Sequence, residues 1–193
     1  MTRHLRCALP FVLCSAATVQ AAGDTGWFVT AQYGGADYDV LLEGDRAWWG
    51  RADDDAGTWA AGLGYTLAPW LGLRLMYERT HDLSVQNQCP DGLVCAGVTF
   101  RRSADAANWS LAALPRLPLG DRWELYGTLG AMRWKIDPGG GRERQIASDD
   151  DTTTLYGGGI GYSFRNGAGV ALEHQRSGAD YSALRLGLTY SFR

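Results

Sequence analysis

The chain has 193 residues, a formal net charge of −3 and 46% hydrophobic residues, with 26 glycines and 8 tryptophans. A weakly acidic chain offers no basic patch for nucleic acid, which excludes nucleic acid as a partner. Past the amino terminus no apolar run approaches about 18 residues, which excludes transmembrane helices but not a barrel, whose strands need about 10 residues each.

The first residues have the pattern of a secretory signal peptide. Arg3 and Arg6 precede an uncharged stretch from Cys7 to Val19, which is too short to cross a membrane as a helix. We therefore predict a signal peptide over residues 1–21, which ends on a small residue suited to cleavage, and one folded domain over residues 22–193.

In the rest of the chain, apolar residues recur at every second position. Large apolar side chains alternate with glycine, serine, threonine or alanine, which predicts strands with one apolar face. In chain order the segments are 27–33, 59–67, 71–77, 107–113, 123–134, 156–164, 170–173 and 184–192. The fifth segment is ambiguous, because Leu125 favours one face and Met132 the other.

The connections between these eight segments alternate in length. Short turns are predicted near 68–69, 118–121 and 166–167, long connections near 36–56, 80–97 and 137–151, and a medium one near 176–180. Short connections on one side and long ones on the other are typical of outer-membrane barrels, with turns in the periplasm and loops outside. An even strand number then puts both termini on the periplasmic side.

The aromatic residues fall at two heights along the predicted strands. Near one end lie Trp27, Tyr65, Trp123, Tyr162, Phe164, Tyr190 and Phe192, and near the other Tyr33, Trp59, Tyr77, Trp109 and Tyr156. Two aromatic girdles are expected where rings lie between headgroups and hydrocarbon. A soluble sandwich or lipocalin-type barrel also alternates, but its second face would carry many charges, whereas the second face here carries few.

Three segments carry a resemblance to a known family. They are the closing segment Leu184 to Phe192, the glycine-spaced segment Tyr156 to Tyr162, and Ala61 to Tyr65. They resemble the small outer-membrane β-barrel family typified by the transmembrane domain of OmpA. The resemblance implies an all-β fold, an eight-stranded antiparallel up-and-down transmembrane β-barrel in the outer membrane of a Gram-negative bacterium. It also implies that the barrel-insertion machinery reads the closing strand, although Arg193 stands here after the usual terminal aromatic.

Four charged residues are predicted to face the lumen. These are Arg74, Glu78, Glu173 and Arg185. If the last hairpin is symmetric about Ala179, Glu173 and Arg185 lie directly opposite each other. Because side chains fill the lumen of an eight-stranded barrel, these charges must pair or stay hydrated. The two interpretations are a polar plug and an ion-conducting gate.

Two histidines raise the possibility of catalysis. Some eight-stranded barrels are lipid A-modifying enzymes that use a histidine and a serine on the outer surface, and His174 and Ser177 lie close in sequence. The His-x-Ser-Asn arrangement of the deacylase barrels is absent, however. Glu173 and His174 are also predicted to point to opposite faces of the strand, so Glu173 cannot easily orient His174. His81 has no partner nearby in the sequence, so we interpret it as a solvated histidine.

The predicted loops contain three further groups of residues. Cys89 and Cys95 bracket a short turn, and we predict a disulfide that stabilises the loop by on the order of 2 kcal/mol. The acidic triplets 53–55 and 149–151 are interpreted as repulsive loop tips, with a shared divalent cation as the alternative. Basic residues cluster near the outer strand ends and predict contact with anionic lipid headgroups: Arg101, Arg102, Arg133, Lys135, Arg142 and Arg144.

The hypothesis that follows is a non-enzymatic outer-membrane protein. It would contribute to envelope integrity or present its loops to surface partners, with outer-membrane lipids as neighbours. No sequence pattern predicts a metal or cofactor. A lipid A-modifying enzyme and a narrow ion channel are the alternatives.

Overall fold

Eight antiparallel strands close on themselves in the computed structural model, which describes residues 25–43, 49–88, 101–138, 150–178 and 181–192. The strands are β1 (Gly26–Glu43), β2 (Trp49–Ala68), β3 (Leu71–Gln88), β4 (Arg101–Leu119), β5 (Trp123–Pro138), β6 (Asp150–Ser163), β7 (Ala168–Ser177) and β8 (Tyr181–Ser191). Each strand pairs with its neighbours in sequence, and β8 pairs with β1, so the sheet has no open edge. The predicted eight-stranded antiparallel barrel is confirmed. Within the described residues, no helix has the length and hydropathy needed to cross a membrane.

The apolar face of the sheet points outward. On β8, Leu184, Leu186 and Leu188 are 56%, 63% and 65% exposed, whereas Ala183 and Arg185 are buried. A water-soluble barrel would bury such a row of leucines. The exposed row is instead the surface that a barrel presents to hydrocarbon.

The structure resolves the ambiguity of β5. Leu125 and Leu129 point outward, and Tyr126 and Met132 point into the barrel. The narrow interior admits the tyrosine ring because Gly159 faces it: a Cβ at Gly159 would lie 2.7 Å from Tyr126 Cζ. The inward aromatic is therefore matched by a glycine on the neighbouring strand.

The two ends of the barrel differ in their connections. At the end that we call the turn end, short turns join β2 to β3, β4 to β5 and β6 to β7, as predicted. Gly120 and Gly167 provide two of these turns with φ of +89° and +85°, values that favour glycine. The opposite end, the loop end, carries the connections between β1 and β2, β3 and β4, β5 and β6, and β7 and β8.

Each end carries a row of contacting aromatic rings on the outer surface. At the turn end Trp27 lies 5.0 Å from Tyr65 and Trp123 lies 4.9 Å from Tyr162, both measured between ring centroids. At the loop end Tyr77 contacts two rings, with centroids 5.8 Å from Trp59 and 4.9 Å from Trp109. The structure thus places these aromatics at the two predicted heights.

The strands are longer than the sequence pattern predicts. The β1–β2 ladder continues from Asp37↔Asp55 to Glu43↔Trp49, so most of the predicted connection 36–56 is strand. β3 and β4 likewise extend beyond their predicted segments at the loop end, and β6 begins at Asp150. These boundaries were wrong because apolar alternation marks only the part of a strand that faces hydrocarbon, while backbone hydrogen bonds continue the hairpin beyond it. The triplet 53–55 lies on β2 and not at a loop tip.

Candidate functional site

The four charged residues predicted for the lumen all lie inside the barrel. Arg74 and Glu78 are each 4% exposed, Glu173 is fully buried and Arg185 is 1% exposed. Side chains alternate between the two faces of a strand, and each of these four residues occupies an inward-facing position on β3, β7 or β8. Burial of four charges away from water is tolerated only when each has a charged or hydrogen-bonding partner.

Among the residues that the structure describes, two ion pairs cross the lumen. Arg74 Nη2 lies 2.6 Å from Glu173 Oε1, and Arg74 Nη1 donates to Oε2 at 2.9 Å, which makes a bidentate pair between β3 and β7. Arg185 on β8 pairs with Glu78 on β3. Opposite walls of the barrel are therefore joined by charge-assisted hydrogen bonds.

The pairing differs from the predicted contact between Glu173 and Arg185. These two residues are directly opposite in the β7–β8 register, as the hairpin symmetry predicts. Their ion-pair partners, however, come from β3. The two side chains project next to each other into the lumen, and each finds its partner on a distant strand that the symmetry of one hairpin does not reveal.

Neutral donors complete the coordination of the Glu173 carboxylate. Thr128 Oγ1 donates at 2.7 Å, Gln32 Nε2 at 2.8 Å, Gln175 Nε2 at 2.6 Å and Tyr126 OH at 3.3 Å. Hydrogen bonds to the ionised form stabilise a buried carboxylate. Glu173 is the centre of this half of the lumen.

The Glu78 carboxylate has its own set of donors. Tyr181 OH lies 2.8 Å from both carboxylate oxygens, Asn108 Nδ2 donates at 3.2 Å and Tyr38 OH at 3.4 Å. Gln175 joins the two halves, since its amide nitrogen donates to Glu173 and its carbonyl oxygen accepts from Arg185. We call these charges and their hydrogen-bond partners the lumen network.

The space on either side of the lumen network is unequal. Toward the loop end an apolar cluster fills the interior: Ala36, Tyr38, Ala56, Ala106, Met132, Leu155, Tyr181 and Ala183. Toward the turn end a cavity of about 390 Å³ remains, which we call the turn-end vestibule. Its lining includes residues of the three short turns and, at its inner end, Gln32 and Arg74.

Sequence reasoning missed the neutral members of the lumen network. The missed residues are polar and occupy inward-facing positions on their strands: Gln32, Asn108, Tyr126 and Gln175. Their place in the strand alternation was the one feature of the sequence that could have indicated them. A single polar residue on a small-residue face is common, so parity alone does not say which ones converge. Only the strand order and stagger of the closed barrel bring them together.

The structure separates the two residues of the catalytic interpretation. Ser177 is buried inside the barrel, where its hydroxyl contacts the Thr153 hydroxyl. His174 has the opposite parity and lies on the outer face. A serine and a histidine on opposite faces of one strand cannot exchange a proton directly.

His81 is exposed, as predicted for a solvated histidine, but it has an acidic neighbour that the sequence interpretation missed. Its Nδ1 lies 3.4 Å from Asp105 Oδ1, and Arg79 Nη2 lies 3.3 Å from Asp105 Oδ2. The three side chains form an exposed cluster across β3 and β4 at the loop end. The partner was missed because it is distant in sequence and comes close only through strand pairing.

The remaining predicted site residues are distributed as follows. Arg133 and Lys135 lie on the outer face of β5 at the loop end. Arg101 and Arg102 begin β4, but their side chains lie outside the described residues, as do Arg142, Arg144, Cys89 and Cys95. Lipid contact and the disulfide therefore stay predictions. The triplet 149–151 and the signal peptide also lie wholly or largely outside what the structure describes.

Comparison with known protein families identifies the domain. Residues 7–192 match the family described as "Outer membrane protein beta-barrel domain". The chain belongs to this family. Outward leucines, aromatic girdles and a closed eight-stranded sheet are what an outer-membrane barrel requires, and the protein is located in the outer membrane. No curated protein matches the sequence.

Solved structures show the same outer-membrane barrel fold. The Ail protein of Yersinia pestis, solved in complex with the heparin analogue sucrose octasulfate, matches with a TM-score of 0.56 and 17% identity over 87% of this chain and 99% of that chain. The amino-terminal barrel domain of Pseudomonas aeruginosa OprF has a TM-score of 0.56 and 16% identity over 87% and 99% of the two chains. A major outer membrane protein from Thermus thermophilus has a TM-score of 0.53 and 15% identity, covering 88% and 100%. At these identities the likeness is one of fold.

Proposed function

We propose that the protein is a non-enzymatic scaffold of the outer membrane that holds its loop-end hairpins outside the lipid. The main support for this proposal is that side chains fill the lumen. Two crossing ion pairs, their hydrogen-bond partners and the apolar cluster above them occupy the interior between the turn-end vestibule and the loop end. A barrel plugged in this way favours a structural role over transport.

The length of the first hairpin supports display at the surface. Tyr33 lies opposite Trp59 in the loop-end girdle, and β1 continues from there to Glu43. About ten residues of strand span roughly 30 Å, which is long enough to extend beyond the headgroups. We therefore assign the loop end to the cell exterior and the turn end to the periplasm.

An epitope inserted after Glu43 tests this orientation. An antibody should label intact cells, because the hairpin lies outside the membrane. A matched insertion at Gly120, in a short turn, should be labelled only after permeabilisation. The reverse pattern would contradict the assignment.

Outward cations at the loop end support contact with anionic lipid. On the outer face, Arg176 on β7 lies opposite Tyr156 of the loop-end girdle. Arg133 on β5 lies opposite Thr152, four residues farther along β6 toward the loop end. Arginine binds phosphate through paired N–H donors, and this height is where lipopolysaccharide phosphates would lie. The double variant Arg133→Glu, Arg176→Glu should retain less lipopolysaccharide on purification than the wild type. Unchanged retention would refute the contact.

The two alternatives have direct tests. Lipid A mass spectrometry with and without expression should give identical spectra if the protein is a scaffold, and a new lipid A species would establish an enzyme. Planar-bilayer recordings of the purified protein should show no stable conductance. A reproducible channel would show that the lumen network opens.

A further inference from the structure

The turn-end vestibule contains a cation held in a fixed position. Arg116 on β4 is half-buried, and its Cζ lies 5.1 Å from the centroid of the Phe28 ring. The ring in turn covers Gly64, where any Cβ would overlap the ring carbons, and the guanidinium lies beside Gly72. Stacking against an aromatic face restrains the guanidinium and leaves its N–H edges available.

The same cavity contains an anion that forms no salt bridge with that cation. Glu124 on β5 also faces the vestibule, with its side chain against Gly161, where a Cβ would lie 3.1 Å from Glu124 Oε1. Across the described ranges, neither Arg116 nor Glu124 takes part in a salt bridge. Two half-buried opposite charges that share one cavity without pairing favour a ligand that carries both charges.

Two polar side chains of the lumen network close the inner end of the vestibule. Gln32 and Arg74 line it and are 5% and 4% exposed. Both are held in place by the Glu173 carboxylate, to which Gln32 Nε2 donates at 2.8 Å and Arg74 Nη1 at 2.9 Å. A polar inner end suits a polar ligand better than an apolar one.

We propose that the turn-end vestibule binds a short zwitterionic peptide of the dipeptide class. Its carboxylate is bound by Arg116 and its ammonium group by Glu124. The volume of about 390 Å³ lies within the range of small-molecule sites, roughly 300–1,000 Å³. The site is separate from the surface role proposed above, because it lies at the opposite end of the barrel.

Glycylglycine is the probe that tests this site. The protein is exported with a ¹⁵N label, extracted from membranes in detergent and titrated while its backbone amide resonances are recorded. We expect saturable shifts at Gly72 and Gly161, and no saturable shift with acetate or ethylammonium alone. An equal response to acetate would overturn the dipeptide assignment, as would the absence of any response to glycylglycine.

Three variants locate the binding. Arg116→Gln and Glu124→Gln should each weaken glycylglycine binding by roughly tenfold, the usual effect of losing one charge-assisted hydrogen bond. Arg122→Gln is the matched control, because Arg122 lines the mouth but already donates to Tyr162 OH at 3.0 Å. Heat-modifiable gel migration establishes that each variant is folded. Equal affinity in the wild type and all three variants, or equal loss in the control, would refute the proposal.

Discussion

Individual charges inside a lipid-embedded barrel are stable only through their partners. Glu173 on β7 accepts from Arg74 and from four neutral side chains, of which Gln175 alone lies on the same strand. Removing one charge of the pair leaves the other buried without compensation. Glu124 bears the same carboxylate inside the same barrel but lies outside the lumen network.

Glu173→Gln should therefore destabilise the barrel by about 3–5 kcal/mol, the usual cost of breaking a buried ion pair from one side. The measurement is urea unfolding of the protein in vesicles, followed by tryptophan fluorescence. Glu124→Gln is the control and should change the free energy of unfolding by less than about 0.5 kcal/mol. Equal losses in the two variants would mean that the lumen network contributes little.

At the scale of a strand, the closure of the barrel depends on how closely β1 approaches β8. Gly34 lies opposite Arg185, and a Cβ at Gly34 would overlap the Leu184 carbonyl oxygen. Gly35, the next residue, faces outward, and a Cβ added there would have no other atom within 4 Å. Adjacent glycines on one strand therefore have different roles.

Gly34→Ala should lower the free energy of unfolding by about 1–3 kcal/mol, because the backbone of β8 must move to admit the methyl group. Gly35→Ala should be neutral or stabilise slightly, since alanine restricts the unfolded chain more than glycine does. Urea unfolding of both variants measures the difference. Similar stabilities for the two would show that the β1–β8 seam tolerates a wider spacing.

For the molecule as a whole, the sequence predicted the architecture of the barrel but not the side-chain contacts inside it. Outward rows such as Leu184 to Leu188 predicted the strands, their faces and the closed barrel, because lipid imposes one strict alternation on every strand. The same alternation predicted that Arg74 and Glu173 face the lumen. Their pairing across the barrel, and the vestibule beside Arg116, depend on stagger between strands that are far apart in sequence, which no local pattern records.

The position of the whole barrel in the membrane gives the last prediction. Leu188 lies opposite Ala31, between the two aromatic girdles, whereas Ser182 lies opposite Asp37 beyond the loop-end girdle, on the same face of the same strand. Leu188→Arg should cost about 2–4 kcal/mol, because it places a cation near the bilayer midplane, and Ser182→Arg should cost about 0–1 kcal/mol. Unfolding in phosphatidylcholine vesicles measures both. Equal costs would mean that the hydrocarbon layer is not centred between the girdles, and a larger cost for Ser182→Arg would place the membrane closer to the loop end.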